Sequence, residues 1–480
     1  MIAAALLLAA TFTRPMERVS TMDPALCQSI YDCHAIMLVY ETPLAIDYLA
    51  RPYRLVPGAC EMPTVLDGGL KYRLNVRTPR IAAQDVARAF ERLRDPQIVS
   101  PNGWIMKDVS SVNAVDGKTV EITLKRPVRQ FPWLLAIPAC AIVLPDGSGT
   151  GPYELKLWRK NHEMVFTRRG GSASGGPMRF DTVRYLVIDD QSTQWLMFLK
   201  GEVDMLGSIS RDNWDSIIGQ DGKLDATLGE KGFALHSIPA LEVLYVGMNM
   251  RDPVLGPNKK LRQALNCAFD FPEWARFCNH RVKECDGPVP HGVPGRLESP
   301  FPYRFDLERA KKLIAEAGYP GGIDPKTGRR LVITMSIGKA TQESREAGEL
   351  MAAFYEKIGV KLELDFKTWD AFLKAVNEGR AQMFRRGWVG DYPDAQNFLQ
   401  LFYGPNQSPG ANHANFESAA FDKAYELEDY KTCQEIVREE CPWIFTHFNM
   451  SHSLVGPRVG NYVPSDFPYG TEAFYEVRRK

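Results

Sequence analysis

VKLELDFKTWDAFLKAVNEGRAQMFRRGWVGDYPDAQNFL, residues 360–399, changes its hydrophobic period from one segment to the next. VKLELDF (360–366) alternates apolar and charged positions, the two-residue period of a strand with one buried face. WDAFLKAVNEG (369–379) reads as a helix ended by glycine, and AQMF (381–384) opens another strand. Upstream, LVITMSI (331–337) alternates, and a helix with Leu350, Met351, Phe354 and Ile358 on one side stops at Gly359. The series is β-α-β-α-β, which predicts right-handed crossovers and a mostly parallel sheet. Ligands of such sheets sit beyond the carboxyl ends of the strands. A turn expected at Gly387 puts Trp388, Asp391, Tyr392 and Asp394 there, spaced by Gly390 and Pro393. An aromatic wall beside a carboxylate suits a small cationic or amino-bearing ligand. The competing reading is a surface turn whose Trp fills a gap between domains.

Moving outward, Asp306 caps a helix ended by Gly318, and LEVLYVGMN (241–249) is a nearly unbroken apolar strand, long enough to cross between lobes. TVRYLVI (182–188), a helix over 192–201 with Trp195, Leu196 and Leu199 inward, and EVDML (202–206) predict a further β-α-β unit. Residues 36–140 form a mixed α+β lobe. LKYRLNV (70–76) alternates, Ile81, Val86, Phe90 and Leu93 lie at helical spacing, and Asp116-Gly117 marks a hairpin.

The totals narrow the function classes. The 480 residues carry 58 basic and 58 acidic side chains, so no basic excess favours a nucleic-acid partner. IAAALLLAATF (2–12) is too short to span a bilayer and reads as the apolar core of a secretory signal, the alternative being an N-terminal buried strand or helix. Nine cysteines include no C-x-x-C pair, which speaks against a metal cluster, although Cys278 and Cys285 are close enough in sequence to staple a loop under oxidising conditions. Catalytic motifs fail individually. Asn161-His162-Glu163 lacks the second histidine of a zinc motif because Phe166 stands there, and GSASG (171–175) has Ala173 in the serine slot. No catalytic residue, metal ligand or cofactor is assigned. His413 and His447 are the histidines expected nearest a cleft.

Several stretches together resemble one family. RPYRLVPGACEMP (51–63) with DGGLKYRLNVR (67–77), QDVARAFERLRDP (84–96), GTGPYELKLW (149–158) and FLKGEVDML (198–206) follow its order. LYVGMNM (244–250), LRQALNCAFD (261–270), DLERAKKLIAEAGYPGG (306–322), the 358–399 stretch and CPWIFTHFNMSHSLVGPRVGNY (441–462) complete the set. The chain resembles the extracytoplasmic solute-binding proteins of ABC importers, family 5, the oligopeptide/dipeptide/nickel class. The resemblance implies an α/β, two-lobed periplasmic-binding-protein fold of type II-like form, with an extra α+β subdomain in lobe one. Residues 20–35, 141–245 and 449–480 would form lobe one, 36–140 its inserted subdomain and 246–448 lobe two, after a signal segment within 1–19. LEVLYVGMN and HFNMSHSLV (447–455) would be the paired crossing strands, and the lobes would close over ligand.

In peptide-binding members the aspartate of the GW-x-x-DY pattern receives the ligand's α-amino group. That residue here is Asp391, with Trp388 lining a side-chain pocket and Tyr392 beside it. Asn249 and Asn412 are further candidates to line the site, or else bond within their loops. The expected function is a monomeric periplasmic receptor, not an enzyme, that takes a peptide or other small solute to an ABC permease in the cytoplasmic membrane. A sensor of the same fold without transport, or an exported hydrolase, are the alternatives.

Overall fold

Glycine and threonine punctuate 331–399 as their chemistry requires. The Thr341 and Thr368 hydroxyls accept the N–H groups of Ser344 and Ala371, capping the helices Gln342–Glu356 and Trp369–Asn377. Past their ends, Gly359 and Gly379 take left-handed backbone at φ 79° and 65°, a conformation that favours glycine. Between the helices Val332–Ile337 pairs in parallel with Lys361–Phe366 and with Met383–Val389. The computed structural model describes residues 10–478 except 17, 171–178, 208, 210, 220–222, 339 and 466–468, so the GSASG run lies outside the described residues.

The chain divides into two compact units, 1–238 with 451–480, and 239–450. Both divisions fall inside long strands, Ala234–Met248 and Trp443–Val455. In the second unit the sheet is mixed. Met383–Val389 does not turn at Gly387 but runs on, antiparallel to Ala234–Met248, with Leu244 opposite Gly387 and Val243 opposite Trp388. Trp388 therefore belongs to the strand, and Asp391, Tyr392 and Asp394 lie beyond its end. The expected turn is absent because Gly387 provides clearance: a Cβ there would stand 2.8 Å from Leu244 Cδ1.

The first unit holds two four-stranded sheets. In one, Thr64–Leu66, Lys71–Asn75, Thr119–Leu124 and Val109–Ala114 are antiparallel, and the helix Ala83–Arg94 covers them with Val86, Phe90 and Leu93 buried. In the other, Thr11–Pro15 runs parallel to Thr182–Leu186 at the sheet edge. Fully buried Phe12 meets Phe180 and Tyr475 edge to face. The 1–19 segment thus contains a strand of the fold, although residues 1–9 lie outside the described residues. A short apolar run cannot by its period distinguish a signal core from a buried strand.

Two further expectations change. In the helix Gln191–Leu199, Phe198 is the buried residue, while Leu196 and Leu199 are 55% and 41% exposed. Met205–Leu206 pairs with Leu454 and Val455, not with the sheet of Thr182–Leu186, so 182–206 is not a β-α-β unit of one sheet. Among the described residues no helix is long and apolar enough to cross a membrane.

Candidate functional site

The turn after Met383–Val389 is fixed by close backbone approach. The Gly390 N–H donates to the Leu241 carbonyl at 2.8 Å, and a Cβ on Gly390 would stand 2.8 Å from both Leu241 Cδ2 and Phe398 Cζ. Asp394 then starts the short helix Ala395–Leu399 by accepting the Gln396 N–H at 2.9 Å. That helix places Asn397, fully buried, beneath the turn.

Asn397 organises what lies above it. Its side-chain oxygen accepts the Trp388 indole N–H and the Asp391 backbone N–H, each at 3.0 Å. Its amide nitrogen donates to Asp391 Oδ2, also at 3.0 Å. The bonds set the tryptophan and the carboxylate relative to each other.

Asp391 is exposed by surface area yet crowded by protein. Loss of hydration raises its pKa above the ordinary carboxylate value, and the Asn397 donation only partly opposes the shift. The carboxylate is accessible to a ligand but poorly hydrated. Among the described residues no cation pairs with Asp391, and its Oδ1 has no hydrogen-bond donor. A ligand ammonium placed there would supply both the missing charge and the missing donor.

The remaining expected site residues lie inside the protein. Tyr392 is 6% exposed, its hydroxyl donates to Gln396 Oε1, and burial raises its pKa. Buried Asn249 donates to the Gly379 carbonyl and accepts from the Arg251 N–H and the Asn415 side chain. Asn412, also buried, donates to the carbonyls of Tyr403 and Phe416 and accepts the Phe416 N–H. All three are buried and bonded to other groups of the second unit. His413 is buried between Arg386 and Asn377, with its pKa lowered to about 4 by burial and by Arg386.

Arg385, on the strand Met383–Val389, lies against an aromatic ring. Its guanidinium lies 5.7 Å from the Trp274 ring centroid, half-buried, and among the described residues no carboxylate lies within ion-pair distance. Trp274 donates its indole N–H to His447 Nδ1 at 3.1 Å, and burial with the nearby Arg385 charge lowers the His447 pKa to about 3. On the adjoining strand Glu242, also shifted upward by burial, accepts from the Asn449 side chain, and its Oε1 sits 3.2 Å from where a Gly387 Cβ would be. The unit thus presents an unpaired acid and an unpaired base on or just beyond one strand. Among the described residues no group of three or more His, Cys, Asp or Glu could hold a metal.

Sequence reasoning missed Asn397, Glu242 and the isolation of Arg385. Asp394 as a helix cap was the available signal for Asn397, since a helix starting there turns the next asparagine back under Asp391.

Residues 54–410 match the family model described as bacterial extracellular solute-binding proteins, family 5 Middle. The chain is 26% identical to Heme-binding protein A of Haemophilus influenzae over 479 residues, covering 88% of this chain and 83% of the relative. It is also 26% identical to the Glutathione-binding protein GsiB of Escherichia coli (strain K12) over 428 residues, covering 80% and 78%. Among solved structures it is similar in fold to HbpA2 from Haemophilus parasuis, with TM-score 0.83, 23% identity and coverage of 98% and 100%. It is likewise similar to the periplasmic binding protein DppA from Helicobacter pylori in complex with peptide STSA, with TM-score 0.75, 21% identity and 98% of each chain covered. The shared fold is that of the two-lobed periplasmic binding proteins.

Proposed function

The chain belongs to the bacterial extracellular solute-binding proteins of family 5, and on that premise we propose that it captures a peptide, or a similar small solute with a free amino group, for delivery to an ABC permease. The observation that carries this reading is Asp391, a crowded acid with one oxygen held by Asn397 and, among the described residues, no cation of its own. Desolvation strengthens a charge-assisted hydrogen bond there, and the ammonium would return the carboxylate to its charged form. Trp388 supplies the apolar wall for the neighbouring side chain. Arg385, the unpaired base, suits a carboxylate elsewhere on the same ligand.

Two relatives frame the ligand choice. GsiB is named for glutathione, a peptide with a free ammonium and carboxylates; the Haemophilus protein is named for heme, which has carboxylates and no cationic amine. The acid at Asp391 favours the first class.

Calorimetric titration of the purified protein with short peptides, each free or N-acetylated, tests the reading. Free peptides are expected to bind, and acetylation should weaken binding about 30-fold or more, as when one partner of a desolvated charge pair is removed. Equal affinity for both forms overturns the assignment of Asp391. Tight heme binding, unchanged by Asp391→Asn, overturns the amino-bearing ligand class.

A further inference from the structure

We propose that Glu242 is a second acid of the same site and makes it select peptides with a basic side chain near the amino terminus; the inference rests on the amino-bearing ligand read from Asp391.

Glu242 lies on the strand Ala234–Met248, opposite Val389. The register continues with Leu244 opposite Gly387 and Val246 opposite Arg385. Directly opposed residues, and every second residue along a strand, share a face. Glu242 and Arg385 therefore lie on one face of the ladder, with Leu244 and Gly387 between them, so a ligand laid along that face meets both. A Cβ on Gly387 would stand 3.2 Å from Glu242 Oε1, and glycine leaves that space unfilled. Val389, across from Glu242, is 51% exposed, which puts this end of the face at the surface.

The carboxylate is held in place but left incomplete. Glu242 Oε2 accepts from the Asn449 side chain at 2.5 Å. Among the described residues Oε1 has no donor and no cation pairs with Glu242. The residue is half-buried, and loss of hydration raises its pKa, with the Asn449 donation only partly opposing the shift. A neutral acceptor would hold Asn449 without the desolvation cost of a carboxylate. A cation arriving from solvent at Oε1 would supply both the donor and the counter-charge.

The position suits a side chain and not the α-ammonium itself. The Gly390 N–H donates to the Leu241 carbonyl at 2.8 Å, so Glu242 and Asp391 each follow one partner of that bond. Antiparallel strand spacing and rise then separate the backbones of the two acids by about 8 Å. One ammonium does not span that gap. An α-ammonium at Asp391 and a Lys or Arg side chain at Glu242, both from the first residues of one peptide, do.

The test uses tripeptides with lysine at the first, second or third position and alanine elsewhere. Each is matched with its norleucine counterpart, which keeps the apolar stem and lacks the charge, and each is titrated calorimetrically against the parent and Glu242→Gln. The glutamine retains an acceptor for Asn449, and thermal unfolding checks that the variant is folded. In the parent, lysine is expected to bind about tenfold or more tightly than norleucine at one position at least. Glu242→Gln should abolish that preference while N-acetylation still weakens binding. No lysine preference in the parent at any position overturns the proposal, whether or not the variant folds. A preference that Glu242→Gln retains also overturns it. In both cases the Asp391 reading stands if acetylation still weakens binding. Indifference to acetylation instead removes the Asp391 reading, and this inference falls with it.

Discussion

Two charged clusters, one in each unit, solve burial in opposite ways. In the first unit Arg14 donates to Glu472 at 3.0 Å, with the glutamate side chain wholly buried and the arginine 12% exposed. Each supplies the other's counter-charge, and the pair ties the strand Thr11–Pro15 to the chain's C-terminal region. In the second unit, among the described residues, Asp391 has an amide partner but no cation, and Arg385 an aromatic neighbour but no carboxylate within ion-pair distance. A closed pair belongs to the architecture. Charges held in position without partners are costly to keep, and the proposed ligand would complete them.

The largest effect should come from breaking the closed pair. Glu472→Gln strands the Arg14 charge in the core and is expected to cost about 3–5 kcal/mol of stability, read by urea unfolding of the first unit, with ligand affinity unchanged once the protein is folded. A loss of affinity without a loss of stability would erase the contrast.

Asp391→Asn should do the reverse, weakening an amino-bearing ligand by about 2–5 kcal/mol in a calorimetric titration. Its stability effect follows from the raised pKa. The folded chain holds this proton more tightly than the unfolded chain. The charged form therefore becomes a penalty as pH rises from the ordinary carboxylate value through the raised one. Above that window the variant should be at least as stable as the parent without ligand. Ligand affinity of the parent should fall as pH drops through the raised pKa, at a higher pH than an ordinary aspartate would give.

Asn397→Ala leaves the Trp388 and Asp391 N–H groups without their shared acceptor. About 1–3 kcal/mol of stability should be lost, together with about tenfold in affinity through the misplaced carboxylate, and Asn397→Asp should not restore the donation to Asp391. The smallest change is Gly387→Ala, where a new Cβ meets Leu244 at 2.8 Å. A cost of about 1 kcal/mol is expected in thermal unfolding, with affinity shifted only if the strand moves Glu242 or Trp388.

Much of the second unit was legible because local signals agreed with the tertiary outcome. Alternation in 331–337 and 360–366, threonine caps and terminal glycines each specify one element. Legibility failed where the deciding partner is distant in sequence. Gly387 looked like a turn, because nothing nearby reveals that Leu244 lies across from it. The helix Gln191–Leu199 is too apolar for its period to choose a face, and packing buries Phe198 in preference to Leu196 or Leu199. Asp391 and Trp388 could be singled out from residue type and position. Asn397 could not, because its role exists only after the Asp394 cap folds it beneath both. The asparagines at 249 and 412 illustrate the converse: polar residues near a strand end more often satisfy backbone than ligand.

The amide of Asn397 has one more consequence. It joins an indole N–H and a carboxylate through a single side chain, so the electric field at Trp388 depends on the charge at Asp391. Neutralising that charge with a bound ammonium alters the environment of a native fluorophore one hydrogen-bonded residue away. If the proposed ligand binds at Asp391, Trp388 fluorescence would report its occupancy, and Trp388→Phe would silence that signal while leaving the acid in place.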